Sequence, residues 1–437
     1  MTPSPVRVPG TRARRRLAAA LYGYSFLDDF VLLYPVYTLL FSDTGLSVWQ
    51  ISSLFVLWSL TGVLLELPSG AWADAFSRRA LLCLGPLLTA AGFALWVLLP
   101  SYGAFAAGFL LWGAKGALGS GALEALVYEE LERLGAADRY ARTMGRARAA
   151  GTTAVAAAIG LAGPVFAAGG YPAVGAASVL ACLLAAAAAA CLPEHRPGPG
   201  AVPEPPAGAV HKAGPEPDPD LGPDPDPGRR AWLTALRAGV AEVRGDRALR
   251  GAVWLVPAVT AVWGALDEYA PLLVRDTGVA DATVPYLLLL LWAGVAAGGL
   301  LAAPAERLGP RALAAVLTAS ALALAVGALL GTPAGITLLA LAFCGFQVAS
   351  VLADARLQDR IGGPARATVT SLAAMATDLG TIAVYGAYAA AASALPHRWV
   401  FALSAAPYLV TALLLSARTG AGPAPARTPA RARTRTP

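Results

Sequence analysis

Apolar runs of about 20 residues recur twelve times along this chain, and a run of that length crosses a hydrocarbon layer as a helix. Lipid offers the backbone no hydrogen-bond partners, so only helices or a closed barrel can span it. These runs are too long and too continuous for barrel strands. The expected spans are 17–40, 49–70, 80–100, 102–130, 145–168 and 171–192, then 249–274, 283–303, 311–330, 333–356, 366–392 and 398–417. Charged residues make up only 14% of the 437, too few to cover a soluble protein of that size. The predicted class is therefore an all-α polytopic membrane protein.

The spans divide into two six-helix bundles, 17–192 and 249–417, with a basic tail at 1–16 and another at 418–437. Residues 193–248 join the bundles. Their first part, P-E-H-R-P-G-P-G and P-E-P-D-P-D-L-G-P-D-P-D-P-G, cannot bury a core and reads as a disordered linker. Next, Trp232, Leu233, Leu236, Val240 and Val243 recur at helical spacing with Arg237, Arg244, Arg247 and Arg250 beside them. That pattern suits an amphipathic helix on an anionic membrane face, or an extension of the seventh span. The basic N-terminus leads into a segment of full membrane length that contains acids, so it reads as a first helix rather than a cleaved signal. Lysine and arginine concentrate in the gaps on one face, including Arg78, Arg79, Arg133, Arg139, Arg307, Arg311, Arg356 and Arg360. The opposite gaps hold only Arg275 and Arg398. The positive-inside rule then places both termini and the linker in the cytoplasm.

The bundles echo each other. Leu27-Asp28-Asp29-Phe30 in the first span matches Leu266-Asp267-Glu268-Tyr269 in the seventh, and Asp43-Thr44-Gly45-Leu46 matches Asp276-Thr277-Gly278-Val279. Ala73-Asp74 with Arg79-Ala80-Leu81 matches Ala305-Glu306 with Arg311-Ala312-Leu313. Glu132-Arg133-Leu134-Gly135 matches Asp359-Arg360-Ile361-Gly362. Four matches in one order argue for duplication, and parallel halves of this kind suggest a cavity between them worked by rocking.

Twelve helices in two halves, a long linker, and a G-x-x-x-D-x-x-x-R-[RK] loop after the second span resemble the major facilitator superfamily of secondary transporters. Gly70, Asp74, Arg78 and Arg79 match that loop, with Ser77 where a second glycine is usual, and A-P-A-E-R-L-G-P-R is a degraded second copy. The resemblance implies that Asp74 and Arg78 or Arg79 pair with the opposite half and hold the outward-facing state. Glu66, Gly70, Asp74, Arg78, Arg79, Glu306 and Arg311 are thus the expected gating residues. In the alternative, Asp74 caps a helix start and the arginines only set topology. Gly151, Gly160, Gly163-Pro164 and Gly169-Gly170 approximate a glycine-proline pattern associated with proton-driven exporters, although small residues also serve close helix packing. The resemblance further implies a multi-pass protein of a bacterial plasma membrane, working as a monomer with small-molecule substrates.

Seven acids fall in the interiors of the expected spans, away from their ends, Asp28, Asp29, Glu66, Glu124, Asp267, Glu268 and Asp378, against one interior base, Lys115. A charge at membrane depth costs about 2.5–3.5 kcal/mol on insertion scales, so such groups face water, pair, or carry a proton. Lys115 needs a partner, and Asp28 or Asp29 is expected. Adjacent residues lie about 100° apart on a helix, so one of each acid pair should face a cavity, and spacing does not say which. Trp263 and Gln347 complete the expected cavity residues. Trp58, Trp112 and Trp292 could add apolar or cation–π contacts. The absence of a mid-span arginine disfavours anionic substrates.

The expected function is proton-coupled export of small lipophilic neutral or cationic compounds. Import or facilitated entry of a nutrient such as a sugar is the alternative, with a non-transporting sensor behind it. The four cysteines match no metal spacing, no Ser-His-Asp set or phosphate loop occurs, and neither an enzyme, a cofactor nor a nucleic-acid partner is expected. The proton gradient is the expected energy source.

Overall fold

The computed structural model describes residues 10–119, 121–195, 237, 240–361 and 366–420, with backbone only at 10–11, 66–75, 367 and 418–420. Fourteen α-helices and two short 3-10 turns account for nearly all of it. The first half holds α1 (Gly10–Asp29), α2 (Tyr37–Asp43), α3 (Val48–Ala75), α4 (Arg78–Leu98), α5 (Tyr102–Gly119), α6 (Ala122–Arg133) and α7 (Tyr140–Ala190). The second holds α8 (Arg247–Arg275), α9 (Val284–Ala305), α10 (Pro310–Leu330), α11 (Pro333–Arg360), α12 (Arg366–Ala392), α13 (His397–Leu403) and α14 (Ala406–Gly420).

Eight described helical stretches are long and apolar enough to cross a membrane. The other helices of that length, α1, α5 and α12, carry Asp28, Asp29, Lys115 and Asp378. At 1.5 Å per residue, the 51 residues of α7 would reach about 76 Å if straight, against about 30 Å of hydrocarbon. Gly169 and Gly170 leave helical geometry, and Gly170 adopts φ 59°. That left-handed backbone suits glycine and folds α7 into two crossings without a loop. Together with α1–α2, α5–α6, α12 and α13–α14, the helices are consistent with twelve crossings.

Several expected spans are broken. The first is interrupted at 30–36, where Pro35 lacks an N–H and disfavours helix before it. Free backbone groups at membrane depth need protein partners. Here the Leu33 N–H donates to the buried Ser178 Oγ on α7 at 3.0 Å. Gly121, at φ 71°, starts α6 after the break in the fourth span. The last span divides between α13 and α14. In the opposite sense, α3 runs on to Ala75, so the backbone at Gly70–Asp74 is helix and not loop. Ser77 caps the start of α4 by accepting from the Ala80 N–H at 3.1 Å, the task that the alternative reading gives to Asp74. Of the expected amphipathic segment, 240–245 is helical, while Trp232, Leu233 and Leu236 lie outside the described residues.

The duplicated turns share one geometry. Gly45 and Gly278 take φ of 87° and 84°. In each turn the preceding threonine donates its hydroxyl back to a helix carbonyl, Thr44 to Leu40 and Thr277 to Val274, both at 2.7 Å. Each of these carbonyls also accepts the threonine's own N–H, at 3.0 Å for Leu40 and 3.1 Å for Val274.

One end of the molecule carries residues 12–16, 78–79, 133–148 and 244–250 with their arginines, and is termed the arginine-rich face; the other is the far face. Near the arginine-rich face the chain leaving α7 is tied to the first half. Glu194 accepts from the Ser77 hydroxyl at 2.5 Å and the Arg78 N–H at 2.9 Å. The His195 N–H and Nδ1 lie 2.9 and 2.8 Å from Glu130 Oε1, while Arg133 donates to Oε2 at 3.0 Å. Glu130 stands in the polar last turn of α6, at the arginine-rich end and past the apolar part of that crossing, and is only 2% exposed. Burial pushes its carboxyl pKa up, but the bonds from His195 and Arg133 outweigh burial and hold it below the usual glutamate value. A depressed folded-state value stabilises the fold above the unfolded pKa, and the contribution fades as pH falls through the folded value. Glu130→Ala is therefore expected to remove about 1–3 kcal/mol at neutral pH. The gap in melting midpoint from wild type should shrink in acid; an equal gap at both pH values would refute the linkage.

Candidate functional site

A cavity of about 750 Å³ lies between the halves. Helical periodicity builds its wall: Thr260, Gly264 and Glu268 of α8 come at four-residue intervals, as do Thr377, Thr381 and Tyr385 of α12. Asp28, Lys115, Glu124, Glu268 and Asp378 supply its charges. The wall reaches Leu81 and Leu82 in the first turn of α4, toward the arginine-rich face. A smaller space of about 240 Å³ adjoins it, and Trp112 and Glu268 line both.

Lys115 Nζ lies 2.9 Å from Asp28 Oδ2, and both side chains are 18% exposed. Gly85 leaves room for the lysine stem, since a Cβ there would come 3.0 Å from Lys115 Cγ. Asp29 takes the other direction. Its carboxylate occupies the space a Cβ on Gly151 of α7 would fill. The two acids of α1 are thus separated by rotation, one paired in the cavity and one against the backbone of a neighbouring helix.

Around α8 the arrangement differs. The Tyr37 hydroxyl donates to the Glu268 carboxylate across the halves. Thr38 donates to the Glu268 carbonyl at 3.0 Å, and Ser52 Oγ and Tyr269 OH lie 2.6 Å apart. Tyr269 stacks on Tyr388 at 3.7 Å between ring centres. Farther out, Arg275 donates to Asp43 at 2.5 Å and to Ser42 Oγ at 2.7 Å, while the Tyr171 hydroxyl donates to Asp43 at 2.5 Å. Gly163 of α7 meets Ala282 and Tyr286 of the second half; a Cβ would lie 2.7 Å from each. The contacts of Tyr37, Thr38, Ser52, Arg275 and Gly163 join the halves and cluster above the cavity, so the far end is closed while the cavity extends toward the arginine-rich face.

Asp267 lines the smaller space, and Glu268, one residue on, lines both. Trp263 and Gln347 are absent from both walls, contrary to the expectation from their depth. Trp263 is one residue from Gly264, about 100° round the helix, and points into the second half. There it donates to Ser350 Oγ at 3.2 Å and meets Phe343 edge-on. Gln347 packs at Gly298 on the α9–α11 contact.

The expected gating loop divides. The side chains of Glu66, Gly70 and Asp74 lie outside the described residues. Arg78 pairs with Glu129 of α6, and its N–H goes to Glu194, so its contacts stay within its own half. Arg79 is exposed. Glu306 and Arg311 are exposed at the equivalent turn, where Arg356 donates to the Leu308 carbonyl at 2.7 Å. Sequence reasoning missed the far-face node of Arg275, Asp43 and Tyr171. Its signal was a lone arginine in a gap otherwise without bases and beside a duplicated Asp-Thr-Gly. The Glu130–His195 tie had no comparable signal.

The chain matches the family model described as Major Facilitator Superfamily over residues 18–385. Compared with curated protein sequences, it has no significant match. Among solved structures it is similar to the nucleoside transporter NupG, with 14% identity, TM-score 0.63, and coverage of 94% of this chain and 99% of that one. A D-xylose-proton symporter gives 14% identity, TM-score 0.63, and coverage of 92% and 96%. A bacterial homolog of the human lysosomal transporter Spinster, inward-facing and unoccupied, gives 15%, 0.58, and coverage of 95% and 96%. At these identities the likeness is one of fold.

Proposed function

The chain belongs to the major facilitator superfamily, a family of membrane transporters, and on that premise we propose that it exports a small lipophilic neutral or cationic compound in exchange for protons. The observation that carries this reading is the cavity of about 750 Å³ between two pseudo-equivalent halves, with a paired Asp28 and Lys115 in its wall. That volume lies within the range of about 300–1,000 Å³ usual for small-molecule sites. The positive-inside rule makes the arginine-rich face cytoplasmic, so the described state is inward-facing. Alternating access then requires the far-face ties to break while new contacts form across the cytoplasmic ends. The gating role of Asp74 and Arg78 belongs to that other state, because an ion pair between rocking bodies forms in one state only. Asp28 is the group proposed to exchange a proton for substrate: protonation releases Lys115, and deprotonation restores the pair.

The relatives' names include a D-xylose-proton symporter and a nucleoside transporter, so import is the second reading. Against it, no asparagine or glutamine lines either described space, whereas a sugar site relies on such amides. The test is flux in proteoliposomes holding the purified full chain, with an imposed pH gradient and a panel of lipophilic amines, neutral drugs, pentoses and nucleosides. Gradient-driven exchange of a lipophilic compound is expected. Flux of pentose or nucleoside down the proton gradient favours import, and a panel in which no flux responds to the gradient refutes proton coupling.

A further inference from the structure

We infer that the smaller space beside the main cavity is a subsite for an organic ammonium group, with Asp267 as its counter-ion and Tyr34, Trp112 and Trp292 as its aromatic wall. The inference rests on the carrier reading and names the charged end of its substrate.

The acids at this depth have different commitments. Asp28 is paired with Lys115, Asp29 is seated at Gly151, and Glu268 accepts from Tyr37. Asp267 lines the smaller space and makes no hydrogen bond or ion pair among the described residues. No lysine, arginine or histidine contributes to that wall. A carboxylic residue in the wall of an aromatic, base-free recess suits it to a cation. Trp112 is covered on both faces by Tyr34 and Trp58 and offers its edge, so the attraction of ring faces for positive charge falls to Tyr34 and Trp292, and a weakly hydrated alkylammonium gives up little water on entry. An anion would meet Asp267 and Glu268 together, and a neutral polar group would lose hydration without a matching charge.

Size and continuity narrow the ligand further. About 240 Å³ is below the usual range for a drug-sized molecule, yet ample for a tertiary or quaternary ammonium head. The remainder of the ligand has a place to go. Tyr34 stacks on Trp112 with ring centres 5.3 Å apart and an 11° tilt, and Trp112 stacks on Trp58 at 4.7 Å. Tyr34 lines the smaller space, Trp58 the larger, and Trp112 both. The three-ring stack is thus a shared partition. An amphipathic cation can place its head at Asp267 and lay its apolar body past Trp112 into the main cavity, where Asp28 and Lys115 cancel each other's charge.

The test compares (3-hydroxyphenyl)trimethylammonium with its neutral isostere 3-tert-butylphenol, by calorimetric titration of the full chain in nanodiscs. Wild type is expected to bind the ammonium more tightly by about tenfold or more. Asp267→Asn should bring the two ligands close to parity by weakening the cation alone. Asp267→Glu should keep much of the preference, and Trp292→Ala should weaken the cation by about threefold to tenfold. Equal affinity for the two ligands in wild type, which needs no variant to fold, overturns the inference. So does an intact preference in Asp267→Asn. Proton-driven flux of a neutral compound without any cation preference would sink this subsite and leave the carrier reading standing. A preference that vanishes in Asp267→Asn, in a protein that moves no compound, would do the reverse.

Discussion

Asp28→Asn and Lys115→Met, made singly, are each expected to lower the melting midpoint of the purified protein sharply, while the double variant melts close to wild type. Breaking one partner of a buried pair leaves an uncompensated charge and costs about 3–5 kcal/mol. The present pair belongs at the lower end of that range, because both side chains are 18% exposed and the Asp29 charge also acts on Lys115. Replacing both charges by similar-sized neutral groups removes the penalty along with the attraction. The resulting double-mutant cycle measures the coupling directly. It also separates a structural pair from a proton-carrying one. A stable double variant that still exchanges substrate for protons clears Asp28 of the proton role. A stable double variant that binds substrate but no longer responds to a pH gradient assigns that role to it.

Gly163→Val is expected to prevent the halves from meeting at the far face. Its Cβ would lie 2.7 Å from the Ala282 carbonyl oxygen and from the Tyr286 ring, and backbone cannot step aside as a flexible side chain can. Overpacking of this kind costs about 1–3 kcal/mol. The contact exists only when the far face is closed, so the penalty falls on that state alone. It should shift the balance between states by about 5- to 150-fold, with loss of most transport. Spin labels on Leu99→Cys and Ala280→Cys in a background lacking the native cysteines should report a longer mean distance than in the parent. An unchanged distance distribution would show that the closed state tolerates the branched side chain.

Some of this arrangement was legible in the sequence, and the reason differs by feature. A membrane helix is recognised by a length and a composition, so the runs stand out without any tertiary knowledge. The breaks within them do not. Unwinding at 30–36 is stable because Ser178, far along the chain, satisfies the Leu33 N–H, and no local pattern contains that fact. Acids at membrane depth are conspicuous because they are costly, and Lys115 required a partner for the same reason. The direction of each acid depends on how its helix is rotated against its neighbours, which is why Asp28 and Asp29 could not be told apart. Trip points of the same kind are Trp263 and Gln347: depth suggested the cavity, while rotation turned them into the second half. At the start of α4, the capping role went to Ser77 because α3 continues through Asp74, and nothing in A-W-A-D-A interrupts a helix.

The contacts of α1 also bear on how the chain enters a membrane during synthesis. Its two acids and the unwound stretch after it are accommodated by Lys115, Gly151 and Ser178, which are translated long after α1 has left the ribosome. Until then, Asp28 and Asp29 each oppose insertion by about 2.5–3.5 kcal/mol at mid-bilayer depth. The first helix of the chain is therefore among the last to reach its final place. Its packing partner among the described helices is α7, so its seat is complete only once α7 has been made. Truncation after α4 should leave α1 poorly inserted, and extension past Ser178 should complete its entry.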